Sequence, residues 1–257
     1  MFGKKKKNIT VIDLNGIISS RHGVSNKYKH GEMLDDLSDI LEDDSTVGVV
    51  IRVNSPGGSA GSSYELYDLI KKIAGKKIVY ATVTDVACSG AYLAIAPCQR
   101  IFCTPMSTVG SIGVLMELPN LKDISEKVGF KMNTFKSGAM KDIGNPFRDM
   151  TSEEEKYIQD ILKRDHDVFV EIVTKCRPKI DKALCDGRFF TGADAKALGF
   201  SDVIGTFTDA LDHMKKITEV EEVEYVEHDA GFIQKLINKL NLDISINLDS
   251  KFLGRYL

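Results

Sequence analysis

The sequence predicts a layered α/β fold, because segments with the pattern of buried strands alternate with segments that have apolar residues at helical spacing. The clearest buried strands are residues 9–18 and 46–53, which are apolar and short. An amphipathic helix follows each of them, at residues 32–41 and 62–73. With 257 residues, the chain is long enough to bury one sizeable core.

The remaining elements continue the same alternation along the chain. Five further strands are predicted at residues 77–83, 100–103, 113–116, 130–135 and 202–205. Five further helices are predicted at residues 90–96, 123–128, 151–175, 191–194 and 207–217. Thr151 followed by three glutamates is a typical helix start, because a hydroxyl can cap the first amides and acidic side chains favour the positive end of the helix.

The composition narrows the class of function. Hydrophobic and charged contents of 43% and 28% are ordinary for a globular protein, and a net charge of −3 predicts neither a nucleic-acid binder nor a protein held on a membrane by charge. Five cysteines without a CxxC pair indicate free thiols in a reducing compartment rather than a disulfide framework. No cofactor is expected, since neither a metal-ligand cluster nor a phosphate-binding loop occurs.

Three regions are predicted from the distribution of charge and apolar residues. Residues 1–7 form a basic tail, residues 8–218 form the main domain, and residues 219–257 form an acidic segment followed by an amphipathic helix at 232–242. This helix has two interpretations. It packs on its own domain or on a neighbouring subunit, or it attaches weakly to a membrane surface. No apolar run approaches the ~18 residues of a membrane span, and no signal-peptide core follows the basic start, so a cytoplasmic location is expected. An anchor preceding Met1 stays an open alternative.

A glycine pair follows the second buried strand. Residues 53–58 read Val-Asn-Ser-Pro-Gly-Gly, and two glycines at a strand end let the backbone turn sharply and approach a ligand closely. The helix that follows has amides pointing back toward the turn, which can hold a developing oxyanion. The alternative is an ordinary turn between a strand and a helix.

Ser89 lies where a third strand gives way to a helix of small residues. This position exposes a hydroxyl at the start of a helix, which suits a nucleophile but equally suits an N-cap. A serine nucleophile needs a base. None of the five histidines lies in a comparable turn; they are His22, His30, His166, His213 and His228.

Lys141 is the candidate base. A lysine can replace histidine when desolvation lowers its pKa, as in the Ser-Lys variants of the serine-protease triad. Lys141 follows a predicted strand in the stretch Lys-Ser-Gly-Ala-Met-Lys-Asp at residues 136–142. The pattern alone is also compatible with a solvated loop lysine.

Five motifs occur together, at residues 54–58, 87–92, 108–114, 136–142 and 188–192. Together they resemble five motifs of the signal peptide peptidase A family of Ser-Lys peptidases. Residues 54–58 resemble its oxyanion loop, which is shared with the Clp protease, residues 87–92 its nucleophile motif, and residues 108–114 the segment after that motif. Residues 136–142 resemble its general-base motif, and residues 188–192 resemble a downstream signature. The resemblance covers roughly residues 9–205 and implies a Clp/crotonase-like superhelix of strand-strand-helix units in a single domain.

The resemblance also implies a role for each matching residue. Ser89 is the expected nucleophile, Lys141 the general base, and Ser111 the residue that orients Lys141 by a hydrogen bond. The backbone amides of Gly58 and Gly90 are the expected oxyanion hole. Ala91 stands where the family more often has a glycine, which leaves the role of Gly90 unchanged.

The family arrangement implies a peptidase that acts on short or unfolded peptides and works as a homo-oligomer, with Ser89 and Lys141 of one site supplied by neighbouring subunits. Three alternatives stay open: an acyl-CoA enzyme of the crotonase type, a non-catalytic scaffold of the same fold, and a capsid maturation protease of the phage type. The sequence shows no N-terminal membrane span, which is a departure from the family. The resemblance therefore does not imply that cleaved signal peptides within a membrane are the substrate.

Overall fold

The computed structural model describes residues 6–20 and 30–226. The chain divides into two units, Met1–Tyr225 and Val226–Leu257, and only Val226 of the second unit is among the described residues. The amphipathic helix predicted at 232–242 and most of the predicted basic tail therefore lie outside the described residues. The predicted boundaries at 7/8 and 218/219 stay predictions.

The centre of the fold is a parallel sheet whose strands alternate with helices. The first six elements are β1 (Asn8–Asn15), α1 (His30–Glu42), β2 (Thr46–Ser55), α2 (Ala60–Ala74), β3 (Ile78–Cys88) and α3 (Gly90–Ile95). Strand β2 pairs in parallel with β1 on one side and with β3 on the other. These are the elements with the strongest sequence patterns, and the predicted α/β class is confirmed.

Shorter elements complete the sheet and its surroundings. They are β4 (Arg100–Cys103), β5 (Thr108–Gly110), α4 (Lys122–Lys127), α5 (Ser152–Cys176), β6 (Phe189–Thr191), α6 (Gly192–Ala197), β7 (Val203–Ile204), α7 (Phe207–Thr218) and β8 (Val223–Tyr225). The sheet runs β6-β5-β3-β2-β1-β8, and β7 pairs with β4, which pairs with β3. Only the β5–β6 pair is antiparallel among the pairs in the described ranges.

The helices are held on the sheet by their apolar faces. Helix α1 buries Met33, Leu37 and Ile40 at helical spacing, and α2 does the same with three further aliphatic residues. Burying one such side chain contributes about 1.5–3 kcal/mol. Among the residues of known placement, no helix is both long and apolar enough to cross a membrane.

Strand β3 explains how the ends of several strands meet. Its first half, Tyr80–Val83, pairs with β4, while Val86–Cys88 pairs with β5 on the same side. Near its carboxyl end, Ala87 is level with Ser55 of β2 and Cys88 is level with Gly110 of β5. Because all three strands are parallel, the turns that follow them lie next to one another.

Two predicted strands, at residues 113–116 and 130–135, are wrong. Both lie in the connecting segment, residues 111–150, whose regular structure is helix α4 and a 3₁₀ turn at Ala139–Asp142. Apolar side chains there are exposed, with Leu115 77% and Phe135 96% accessible. The strand-like pattern finds no neighbouring strand within the described chain, so no ladder forms. The three-residue strands β5, β6 and β8 are too short to give a periodic signal.

Candidate active site

Ser89 occupies a strained turn between β3 and α3. Its backbone has φ 52° and ψ −126°, a conformation that residues with a side chain rarely adopt. The turn is held by two backbone hydrogen bonds, from the Ser89 amide to the Gly110 carbonyl at 2.8 Å and from the Leu93 amide to the Ser89 carbonyl at 3.0 Å. The Ser89 side chain makes no capping hydrogen bond to α3 and is half-buried. Ser89 therefore occupies the N-cap position of α3, as one of the two interpretations predicted, but its hydroxyl does not cap the helix.

The glycine pair packs directly against the Ser89 turn. A Cβ atom on Gly57 would lie 2.7 Å from the Gly90 nitrogen and 2.9 Å from the Ser89 Cβ, so no side chain fits there. Gly57 and Gly58 have φ values of 97° and 156°, which a glycine adopts without strain. The register of β2 and β3 produces this contact. Ser55 of β2 is level with Ala87 of β3, and each turn begins just after its residue of this pair.

The amides of Gly58 and Gly90 lie close together. A Cβ atom on Gly90 would lie 3.4 Å from the Gly58 nitrogen, and it would also collide with the Ser63 hydroxyl of α2. Gly58 pairs with Ile18 through its two neighbours: the Ile18 amide donates to Gly57 and the Ser59 amide donates to Ile18. Within the described residues, neither the Gly58 nor the Gly90 amide donates to another protein group. Both remain available to an external acceptor.

Ser111 lies beside Ser89 at the end of the neighbouring strand. It follows Gly110, which is level with Cys88, so the two serines are the next residues on adjacent parallel strands. Ser111 has φ 53°, almost the same value as Ser89, and its amide donates to the Arg188 carbonyl at 2.8 Å. Its side chain is half-buried.

Lys141 is not hydrogen-bonded to either of the two serines in the part of the chain that the structure describes. Lys141 lies in the 3₁₀ turn Ala139–Asp142 within the connecting segment, and its side chain is exposed. Among the described residues, no hydrogen bond joins Lys141 to Ser89 or Ser111. Of the predicted site residues, Ser89, Ser111, Gly58 and Gly90 therefore lie on adjacent turns, and Lys141 lies in the connecting segment.

Among the described residues, neither the thiol next to Ser89 nor the hydrogen-bonded histidines offer a second nucleophile or base for the site. Burial raises the pKa of the Cys88 thiol to about 11, and its Sγ lies 3.8 Å from the Thr108 carbonyl oxygen. The thiol therefore stays protonated near neutral pH. His166 bonds the Cys185 carbonyl at 2.6 Å, and His213 bonds a tyrosine hydroxyl.

Sequence reasoning missed a charged network next to Lys141. Arg148 donates to both carboxylate oxygens of Asp142 and to both of Glu154. The sequence indicated only the acidic start of α5, where Thr151 and Glu154 form a capping box in the structure. The spacing of Asp142, Arg148 and Glu154 has no signature of its own.

Comparison with known proteins defines first the fold class and then the family. The family model described as Clp protease matches residues 13–109, which run from β1 to β5. Together with the mixed α/β sheet, this match assigns the chain to the Clp/crotonase-like fold class. The model described as peptidase family S49 matches residues 71–221, more than half of the chain. The chain belongs to peptidase family S49.

Individual relatives agree with this assignment. The chain is 37% identical over 242 residues to "Putative signal peptide peptidase SppA" of Enterococcus faecium, covering 90% of this chain and 70% of that protein. It is 38% identical over 195 residues to a Methanocaldococcus jannaschii protein named as a putative protease, covering 75% of this chain and 63% of that protein. It is 28% identical over 184 residues to "Serine protease SPPA, chloroplastic" of Arabidopsis thaliana, covering 70% and 27%. The predicted resemblance to the signal peptide peptidase A family is confirmed.

Proposed function

We propose that this chain is a serine peptidase that cleaves peptide bonds through an acyl-enzyme. Neutral Lys141 accepts the proton of the Ser89 hydroxyl while the Ser89 oxygen attacks the substrate carbonyl carbon. The amide C–N bond then breaks, the leaving amine takes the proton from Lys141, and the acyl group stays on Ser89. Water, deprotonated by Lys141, releases the acid and restores the serine.

The Ser89 turn is the observation that carries the proposal. A strained backbone persists only where the surroundings impose it, and such strain is concentrated at functional sites. At Ser89 the strain presents a half-buried hydroxyl that does not cap α3, next to two amides that have no acceptor within residues 6–20 and 30–226. A carbonyl oxygen held by the Gly58 and Gly90 amides would be stabilised as its negative charge develops. The adjacent Ser111 is suited to orient the Lys141 ammonium or amine by a hydrogen bond.

The exposed side chain of Lys141, which makes no hydrogen bond to Ser89 or Ser111 among the described residues, supports a homo-oligomer with shared sites. Helix α5 anchors the two parts of the site at different points: Glu154 holds the turn of Lys141 through Arg148, while His166 binds the carbonyl of Ile112, the neighbour of Ser111. Twelve residues of helix separate the two anchors, about 18 Å. Because the two parts of the site are anchored at opposite halves of α5, we expect Ser89 to receive Lys141 from a second subunit.

The exposed apolar residues of the connecting segment support the same arrangement. Of the seventeen large hydrophobic residues that are exposed among those described, nine lie in this segment. They are Leu115, Met116, Leu118, Leu121, Ile124, Val128, Phe130, Met132 and Phe135. A concentration of this kind marks an interaction surface, and a second copy of the chain is the partner we propose.

The substrate class we propose is short or unfolded peptides, since a site shared between subunits of a closed assembly admits only chains that can be threaded into it. We also propose a cytoplasmic location. All five cysteines, including Cys88 and Cys103, are free thiols, which is typical of a reducing compartment.

Active-site labelling tests the function directly. The purified protein is treated with a fluorophosphonate probe, and the modified residue is mapped by mass spectrometry. We expect modification of Ser89 and complete loss of casein hydrolysis in Ser89→Ala, Lys141→Ala and Lys141→Arg, since a guanidinium cannot act as a base near neutral pH. Hydrolysis that survives in Ser89→Ala would exclude Ser89 as the nucleophile, and an active Lys141→Arg would exclude Lys141 as the base.

Complementation tests the shared site. Inactive Ser89→Ala and inactive Lys141→Ala proteins are mixed under conditions in which labelled subunits are seen to exchange. Partial recovery of activity is expected, because some interfaces then combine an intact Ser89 with an intact Lys141. Exchange without recovery, or a fully active monomer in light scattering, would place both residues in one subunit.

A further inference from the structure

A branched network of ion pairs joins the turn of Lys141 to the start of helix α5. The guanidinium of Arg148 donates to Asp142 Oδ2 at 3.0 Å, to Asp142 Oδ1 at 2.9 Å and to the Asp142 main-chain carbonyl at 3.1 Å. On its other side it donates to both carboxylate oxygens of Glu154, one at 2.8 Å. Asp142 is the neighbour of Lys141 and the last residue of its 3₁₀ turn.

The far end of this network is rigid. The Glu154 side chain is only 3% exposed, and it also accepts the Thr151 amide at 2.9 Å in the capping box of α5. Helix α5 is itself fixed by the buried side chains of Phe169 and Val173 and by the hydrogen bond of His166. Arg148 therefore ties the turn of Lys141 to an element that cannot shift without disturbing the core.

The charges in the network stabilise one another. Hydrogen bonds from Arg148 and then from Lys136 hold the pKa of Asp142 well below its usual range. Hydrogen bonds from Arg148 and then from the Thr151 amide lower the pKa of Glu154 to about 2. Lys136 also donates to the Ala139 carbonyl at 3.0 Å, at the first residue of the same turn. Both ends of the turn are thus held by charged hydrogen bonds.

We propose that Arg148 is a positioning residue for Lys141, holding the Lys141 turn on the start of α5 through Asp142. The proposal rests on the proposed function, in which Lys141 is the general base. Paired, planar contacts fix the orientation of a carboxylate as well as its distance, which a single lysine contact does not. Because Lys141 is one residue from Asp142, a turn fixed in this way gives the lysine amine a defined starting point toward the serine.

A purely structural brace makes different predictions from a positioning residue. Loss of a brace lowers the amount of folded enzyme, whereas loss of positioning lowers kcat of the enzyme that is folded, with little change in KM.

Two variants test the proposal. Asp142→Asn removes the carboxylate on the turn but leaves the Arg148–Glu154 pair and the capping box in place, so the fold should survive. Arg148→Lys keeps the positive charge but loses the forked contacts. We expect each to lower kcat about 10- to 100-fold, as small misplacements of reacting groups do, with KM nearly unchanged. The control is Lys163→Gln, which breaks an exposed pair with Asp167 on the same helix and should behave as the parent.

The measurements are kcat and KM of steady-state peptide hydrolysis, the rate of Ser89 labelling, and circular dichroism with size-exclusion chromatography for fold and assembly. A folded, assembled Asp142→Asn with the kcat and KM of the parent would overturn the positioning role, and if Arg148→Lys fails to fold, Asp142→Asn alone decides. Retained activity in Ser89→Ala or Lys141→Ala would instead overturn the proposed function itself. The two failures are therefore distinguishable.

Discussion

Replacing Gly58 with alanine perturbs the candidate oxyanion hole at one atom. A Cβ atom at this position would lie 2.0 Å from the Ile18 carbonyl oxygen and 2.8 Å from the Ile18 carbonyl carbon and nitrogen, whereas real Cβ atoms essentially never lie closer than 3.0 Å to a heavy atom. The obstructing atoms are main chain, so they cannot rotate away. The Gly58 turn and the segment at Ile18, which follows β1, must separate, and the Gly58 amide moves with the turn.

Two effects of different size are expected in Gly58→Ala. Separation of the turn from Ile18 breaks or weakens two hydrogen bonds, from Ile18 to Gly57 at 2.9 Å and from Ser59 to Ile18 at 2.8 Å. At about 1 kcal/mol each, their loss lowers the free energy of unfolding by about 2 kcal/mol. Loss of one oxyanion donor lowers kcat by about 10²–10³-fold. The catalytic effect should therefore dominate in enzyme that remains folded.

The assay compares kcat, the rate of fluorophosphonate labelling and thermal unfolding in three glycine variants. Gly61→Ala places a methyl group where no heavy atom lies within 4 Å, and it should keep both activity and stability. Gly48→Ala meets the flexible side chain of Met214, with the sulfur at 2.7 Å, so it should lose stability in the core and keep kcat. A folded Gly58→Ala with the parent's kcat would refute the oxyanion role of this turn.

Three further predictions concern strain, charge and orientation. Ser89→Gly should unfold at higher temperature than Ser89→Ala, with a gain of about 1 kcal/mol, because glycine adopts the positive φ without strain; equal melting temperatures would argue against a strained turn. Glu154→Gln should flatten the loss of stability in acid. The folded-state pKa of Glu154 is depressed to about 2, so its contribution to the free energy of unfolding is complete above the ordinary value of about 4.3 and is lost as pH falls toward 2. Urea unfolding at pH 7 and pH 3 measures this loss. The same change in stability between the two pH values in parent and variant would contradict the prediction. Ser111→Ala should lower kcat while Ser89 can still be labelled, and an unchanged kcat would remove Ser111 from the proposed site.

The parts of the fold that could be predicted are those with a strong periodic pattern. Strands β1 and β2 and helices α1 and α2 each place several aliphatic residues on one face, and the Thr151–Glu154 pair marks the start of α5 by local chemistry alone. The contact of the glycine pair with the Ser89 turn was also predictable in principle. Parallel strands carry the turns at their carboxyl ends to the same edge of a sheet, so two turn motifs after adjacent strands must meet.

Features that depend on distant pairing could not be predicted. Strand β6 consists of three residues and exists because Phe189–Thr191 pairs with β5, and nothing in its own sequence specifies that partner. The bridging role of Arg148 depends on a turn and a helix start that are six residues away on either side. The positive φ of Ser89 is imposed by the packing of Gly57 and Gly110 around it rather than by any preference of serine.

The two wrong strands and the isolated lysine have a common explanation in the connecting segment. The apolar residues at 113–116 and 130–135 have the composition of a strand, yet residues such as Phe135 lie in solvent. The same segment carries Lys141, which makes no hydrogen bond to Ser89 or Ser111 among the described residues. A second surface would bury the apolar residues and, under the proposed function, receive Lys141 beside a serine. Under the proposed shared site, one contact between subunits supplies both, because the segment that packs on the neighbour is the segment that carries the base. The apolar pattern therefore does not indicate a strand within one chain. We infer that these residues pack against the neighbouring subunit.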